Sequence, residues 1–221
     1  MSKIKVPYVN LSLQWAQERK ELLPIIDRVL SKDNWIGGRE IEKFESKIAT
    51  YTNTKYAVAL NSGTDALTLG LYVLGVQPGD EVITPPNSFI ASTAVIVHLG
   101  AKPIFIDVKE DQNIDPVLIE KSITRKTKAI MPVHLTGRIA DMHPIMEISK
   151  KYGIPIIEDA AQSIGSLYYK KPAGSFGSVG CFSAHPLKNL NAMGDAGYLT
   201  TNNKEIYIKV KDLSNHGMTN R

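Results

Sequence analysis

Tyr56-Ala57-Val58-Ala59-Leu60-Asn61-Ser62-Gly63-Thr64-Asp65-Ala66-Leu67 sets the rhythm of the chain. Its first five residues are a short apolar run of the kind buried on both faces of a sheet. The next residues turn at once to helix-start chemistry, with Asn61 and Ser62 ahead of Gly63 and Thr64. A strand that feeds directly into a helix predicts a crossover unit and a parallel neighbour.

The pattern repeats downstream. Strands are expected at Glu81 to Thr84, Pro103 to Val108, Lys128 to Val133, Ile154 to Ile157, Val179 to Phe182 and Gly197 to Thr201. Helices are expected at Gly63 to Leu74, Ser88 to Leu99, Pro116 to Ile123, Ala140 to Tyr152 and Asn203 to Leu213. With the opening strand this makes an α/β fold built on a mostly parallel seven-stranded sheet flanked by helices. The last two strands are too close in sequence for a helical crossover, so the last is expected to run antiparallel.

Upstream lies a helical segment at about 1–54. Apolar residues recur at helical spacing from Leu11 to Ser31, and Pro24 within that run predicts two short helices or a kink. Asn34-Trp35-Ile36-Gly37-Gly38 is a turn signal, and Arg39 to Thr52 is a second amphipathic helix. Trp35 either packs under the turn or lines a site. No repeat or linker divides the chain, so residues 1–221 are read as one domain.

Composition narrows the functional classes. Hydrophobic residues make up 43% and charged residues 22% of 221 residues, which are ordinary globular values. The formal charge of +4 is spread along the chain and not gathered into an aromatic-laced basic run, so nucleic acid is not the expected partner. A single cysteine, Cys181, allows no internal disulfide and no cysteine-based metal cluster. The histidines lack ligand spacing, so no metal is expected. No stretch reaches the length of a membrane span or a signal peptide, and a cytoplasmic protein is expected.

In open parallel sheets ligands sit beyond the carboxyl ends of the strands. Asn61-Ser62-Gly63-Thr64 offers backbone amides at a helix start that can hold a phosphate, or else is a plain helix cap. The triphosphate motif G-x-x-x-x-G-K-[ST] is absent, and the glycines of Gly174 to Gly180 are wrongly spaced for a dinucleotide site. Glu158-Asp159 closes an apolar strand, where a carboxylate needs a partner such as a pyridinium nitrogen, a lysine or a helix start. Phe89, after the second strand, either stacks on a ligand ring or belongs to the core. Lys188 sits in a short loop between two apolar runs, a setting in which an amine becomes a nucleophile toward an aldehyde such as pyridoxal phosphate.

Taken together, these residues resemble the DegT-type family of pyridoxal-phosphate-dependent sugar aminotransferases. The resemblance runs from Val6-Pro7-Tyr8 to Asn215-His216-Gly217. Its most specific parts are Glu158-Asp159-Ala160-Ala161-Gln162, the spacing Ser183-x-x-x-x-Lys188-Asn189, and Gly194-Asp195-Ala196-Gly197. It implies Lys188 as the catalytic, imine-forming lysine and Asp159 as the carboxylate on the pyridine nitrogen. Gln162 would stand near the ring hydroxyl and Phe89 against the ring. Ser183 and the turn at Gly63, Thr64 and Asp65 would hold the phosphate of pyridoxal 5'-phosphate.

The implied fold is the large domain of the aspartate-aminotransferase-like enzymes, with the smaller carboxy-terminal domain missing after Arg221. The implied reaction is transamination of a nucleotide-linked keto-sugar or cyclic ketone, with glutamate as amino donor, in a homodimer with shared sites. Alternatives are a dehydratase, in which relatives replace the lysine, or a non-catalytic binding or sensing protein. Acceptor specificity is expected from loops around Trp35, Asn87, His134 and His185.

Overall fold

The computed structural model describes residues 6–32 and 36–218. Asn34 and Trp35, singled out above, lie outside the described residues. The chain divides into two compact units, Met1–Phe44 and Glu45–Arg221.

The first unit holds helix α1 (Leu11–Leu30) and the start of α2 (Arg39–Tyr51). Asn10 caps α1 by accepting a hydrogen bond from the Leu13 amide at 3.0 Å. The helix runs unbroken through Pro24, where two short helices were one expectation. A proline forfeits one of many backbone bonds, and the remaining turns of a twenty-residue helix carry it across. Gly37 and Gly38, both at positive φ, precede α2.

The second unit is the sheet and its helices. β1 (Tyr56–Leu60), β5 (Ile157–Asp159), β8 (Val179–Ser183) and β9 (Gly197–Thr201) form one segment in the order β1-β9-β8-β5. β2 (Glu81–Thr84), β3 (Lys102–Phe105) and β4 (Thr127–Ile130) form another, ordered β3-β2-β4. Parallel bridges Ile130 to Ile156 and Val133 to Asp159 join β4 to β5, so seven strands follow one another across the molecule. Only β9 runs against its neighbours, pairing antiparallel with both β1 and β8.

Helices α3 (Gly63–Val73), α4 (Ile90–His98) and α7 (Lys204–Ser214) pack on this sheet. Leu67 and Leu71 of α3, Val95 and Ile96 of α4 and Val210 of α7 bury against Val58, Val82, Ile157, Val179, Cys181 and Leu199. Successive strand residues point to opposite faces, so Ile83, Ile130, Phe182 and Tyr198 look the other way and are also buried. α5 (Pro116–Lys121) and α6 (Met142–Tyr152) add buried Ile119, Met142 and Ile145. Among the described residues no helix is long and apolar enough to cross a membrane.

Two local differences from the sequence expectation have physical causes. β5 begins at Ile157, three residues later than expected, because Pro155 has no N–H to give a ladder and contributes only its carbonyl, to the Ile130 amide. A two-residue hairpin, β6 (Leu167–Tyr168) with β7 (Lys171–Pro172), was not expected. Its turn residues Tyr169 and Lys170 take positive φ, where asparagine and glycine are the usual signal. Tyr168 anchors it: its hydroxyl donates to Asp141 Oδ1, and its ring meets His143 and Phe176 edge-on. Burial, with Asp141 adding to it, pushes the Tyr168 phenol up to about 12.

Candidate active site

The carboxyl ends of β1, β5 and β8 and the start of α4 surround a cavity of about 420 Å³. Its walls include Gly63, Thr64, Phe89, Asp159, Gln162, Ser183 and Lys188. Seven of the eight residues expected at the site are thus gathered in one place. Asp65 is not among the lining residues; it is the third residue of α3, and its backbone amide is held by Ser62 Oγ at 3.0 Å.

The helix start is built for close approach. Ser62 is the N-cap of α3, and the amides of Gly63 and Thr64, ahead of Asp65, keep the orphan character of a first turn. A Cβ on Gly63 would come within 2.8 Å of Ser183 Cβ, and one on Gly197 within 2.3 Å of the Ser62 carbonyl carbon. Glycine at both positions lets the turn settle directly onto the ends of β8 and β9.

Asp159 is nearly inaccessible, at 5% exposure. Burial pushes its carboxyl above the ordinary aspartate range, opposed in turn by donors from Ser92 and the Ala161 amide and by the nearby His134 and Lys188. Ser92 Oγ donates to Oδ2 at 2.7 Å, and the Ala161 amide to Oδ1 at 3.2 Å. Gln162 has its Oε1 committed to the Thr136 amide at 2.7 Å, so its Nε2 hydrogens are the ones left to meet a ligand. That bond also steadies Thr136, a non-glycine residue at φ 54°.

Lys188 is half-buried and closes a turn, its amide donating to the His185 carbonyl at 2.8 Å. The loop that carries it is drawn shut by bonds from Ala184 to Ala196 and from Ala192 to Ala184. Phe89 lies at the head of α4 with 69% of its surface exposed. An apolar ring left open on a cavity wall is a platform rather than core.

Glu158, the neighbour of Asp159, points to the other face and has a different task. Oε1 accepts from the Phe176 and Gly177 amides, both at 2.7 Å. Oε2 accepts from the Gly174 amide at 2.8 Å and faces His134 Nε2 at 3.0 Å. The Ala140 amide donates to His134 Nδ1, which leaves Nε2 as the ring's donor. His134 itself is fully buried behind the site and not on its wall, although its neighbour Val133 lines the cavity. Asn87 is exposed and absent from the wall, whereas His185 is present.

Sequence reasoning missed Ser88, Ser92 and Asp195. Ser88 and Asp195 line the cavity, and Ser92 touches Asp159 from behind. Asp195 lies in the Gly194-Asp195-Ala196-Gly197 motif, which marked the place without naming the side chain. Ser88 lies in the bend before α4, in the stretch that follows the second strand, and Ser92 sits in a mostly apolar helical run that gave no signal of its own.

The arrangement fits pyridoxal phosphate: amides at a helix start for the phosphate, a buried carboxylate for a cationic nitrogen, an amide donor, a ring platform and an amine. Comparison with known proteins places it in a class. The chain belongs to the DegT/DnrJ/EryC1/StrS aminotransferase family, whose model matches residues 16–221. It is 41% identical over 215 residues to a pleiotropic regulatory protein of Geobacillus stearothermophilus, covering 97% of this chain and 58% of that one. It is likewise 41% identical to the dTDP-3-amino-3,4,6-trideoxy-alpha-D-glucose transaminase of Streptomyces venezuelae, covering 96% of this chain and 56% of the relative. The crystal structure of S. venezuelae DesV in complex with a ketimine intermediate superposes with a TM-score of 0.94 at 41% identity, over 98% of this chain and 59% of that one. The chain thus spans rather more than half the length of these three relatives.

Proposed function

We propose that this protein binds pyridoxal 5'-phosphate on Lys188 and transfers an amino group from an amino acid, glutamate by analogy, to a nucleotide-linked keto-sugar or a related cyclic ketone. The observation that carries this reading is the meeting of Lys188, Asp159, Gln162, Phe89 and the Gly63–Thr64 helix start in one cavity. When bound, the cofactor supplies an aldehyde carbon reactive toward amines and a ring that withdraws electrons.

The chain's own groups do the rest. The Gly63 and Thr64 amides, the positive end of α3 and the hydroxyls of Thr64 and Ser183 hold the phosphate. Phe89 covers one ring face and excludes water there. Asp159 accepts the hydrogen of the ring nitrogen, and a carboxylate in so dry a place is worth more to a cation than one in water. Gln162 Nε2 donates to the ring hydroxyl. Lys188 Nζ is the nucleophile that takes the cofactor and, when free, the base and acid that carries a proton to and from the reacting carbon.

Borohydride reduction in the presence of pyridoxal phosphate tests the reading. The expected result is a stable adduct whose mass maps to the Lys188 peptide, with amino transfer from glutamate to a keto-sugar nucleotide seen by mass. Lys188→Ala abolishes both. A protein that takes up no pyridoxal phosphate sinks the proposal. One relative is named a pleiotropic regulatory protein, which is in keeping with a second reading, a non-catalytic protein that binds a partner or senses a sugar nucleotide. Retention of cofactor without any amino transfer selects it.

We further place the protein in the cytoplasm, where a lone buried thiol such as Cys181 is at home. Residues 1–221 act as one cofactor-binding domain whose helical segment, residues 1–54, precedes the sheet. The active form is a homodimer with sites shared between copies.

A further inference from the structure

Two serines, Ser88 on the cavity wall and Ser92 behind it, stand in line with Asp159. Ser92 is wholly buried in the first turn of α4, a mostly apolar helix. A helical serine usually bonds back to its own preceding turn, and a buried hydroxyl without a partner is costly. Ser92 instead crosses to β5, donating to Asp159 Oδ2 at 2.7 Å. Its single hydrogen is spent there, so in the 2.7 Å contact with Ser88 Oγ the donor is Ser88. The result is a directed chain from Ser88, on the cavity wall, through Ser92 to Asp159.

We propose that Ser92, backed by Ser88, is a positioning residue that keeps the Asp159 carboxylate ionised and fixed in rotation, with its free lone pairs turned to the ring nitrogen of the cofactor. The proposal rests on the cofactor reading above. Three features support it. The two donors to Asp159, Ser92 and the Ala161 amide, each take one oxygen and so lock the carboxylate plane. Ser92 donates to charge, the stronger kind of hydrogen bond. It also stands one turn from Phe89 on the same helix, so α4 sets both the ring platform and the carboxylate that meets the ring's nitrogen.

Other groups act on Asp159 and have to be held constant in any test. His134 and Lys188 favour its charged form. Cys181 stands beside it on β8, and Glu158 follows the opposite face of its own strand. None of these hydrogen-bonds to the Ser92 hydroxyl, whose two side-chain partners are Asp159 and Ser88, so substitution at Ser92 leaves the other groups facing Asp159 in place.

The test follows the carbon-13 shift of the Asp159 carboxyl through a pH titration of the cofactor-free protein, assigned against Asp159→Asn. Ser92→Ala is expected to raise the titration midpoint by about one unit, the loss of one charge-assisted hydrogen bond. Ser92→Thr, which keeps the hydroxyl, stays near wild type. With pyridoxal phosphate carrying nitrogen-15 in the ring, Ser92→Ala shifts the nitrogen resonance toward that of neutral pyridine and weakens binding about tenfold. A merely structural serine would lower thermal stability and leave midpoint and nitrogen shift where they are. If Ser92→Ala does not accumulate folded, Ser88→Ala decides by the same readouts, with a smaller rise expected and an unmoved midpoint overturning the proposal. Wild-type protein that takes up no pyridoxal phosphate overturns the cofactor reading and this role with it. Wild-type protein that takes it up, while Ser92→Ala changes neither midpoint nor nitrogen shift, overturns the Ser92 assignment alone.

Discussion

Glu158 and Asp159 are adjacent acids on one strand, and the pleat separates their work. Glu158 is a structural anion that ties the 174–177 loop and His134 to β5 through four donors. Glu158→Gln puts an NH2 group against backbone N–H donors and leaves at least one of them unpaired in a dry interior. The expected loss is about 2–4 kcal/mol of stability by urea denaturation. Lys188→Ala, on a half-buried loop, stays within about 0.5 kcal/mol of wild type. Asp159 behaves oppositely, because burial raises its folded pKa and the folded state then holds a proton that the unfolded state has lost. Across the window from the ordinary aspartate value to the raised one, stability therefore falls as pH rises. Asp159→Asn removes that slope. In cofactor-free protein the stability of the variant relative to wild type is expected to grow with pH through this window. A relative stability that shrinks with pH would mean that Asp159 is held below its ordinary value. Destabilising charge in the empty site is what a bound cationic ring would relieve.

At the scale of elements, the phosphate turn depends on contacts that no local pattern announces. Ser62 as N-cap, the apolar runs of β1, β2 and β8 and the reversed direction of β9 were legible, because cap chemistry, strand periodicity and short connections are local signals. The late start of β5 and the hairpin at Tyr169-Lys170 were not, since a proline-led strand and a turn without glycine are settled by their neighbours. Ser92 was hidden for the same reason: its partner lies on a strand far along the chain. Gly197 is the sharpest case, a residue the sequence marked as part of a motif without showing that its missing side chain makes room for the turn at Ser62 and Gly63. Gly197→Ala sets a methyl group 2.3 Å from the Ser62 carbonyl carbon, and one of the two elements has to move. The expected cost is about 1–3 kcal/mol of stability. Pyridoxal phosphate affinity should fall by more than that of free pyridoxal, which has no phosphate to misplace. Equal losses for both ligands would show that the damage is general and not at the turn.

The whole molecule leaves the mouth of the site apolar and open. Phe89, Ile90, Leu187 and Met193 are 69%, 66%, 54% and 66% exposed. Phe89 and Leu187 line the cavity itself, and the other two stand on the same α4 and the same Lys188 loop. Exposed apolar side chains on the cavity wall and on the two elements that carry it are a poor match for water, and such clusters mark surfaces that another body covers. A second copy of the chain, as in the homodimer proposed above, would bury them and close the cavity in one step. Analytical ultracentrifugation is expected to show two copies per particle for the wild type. Ile90→Asp and Met193→Asp place a charge in the covered surface and are expected to weaken self-association at least a hundredfold, by about 3 kcal/mol. Both positions are solvent-facing in the single chain, so the separated copies should keep the wild-type circular dichroism spectrum. Cofactor uptake should weaken together with dimer formation if the second copy completes the site. A wild-type particle that stays single at high concentration yet holds cofactor tightly would show that one chain is sufficient, and the open apolar mouth would then belong to the substrate.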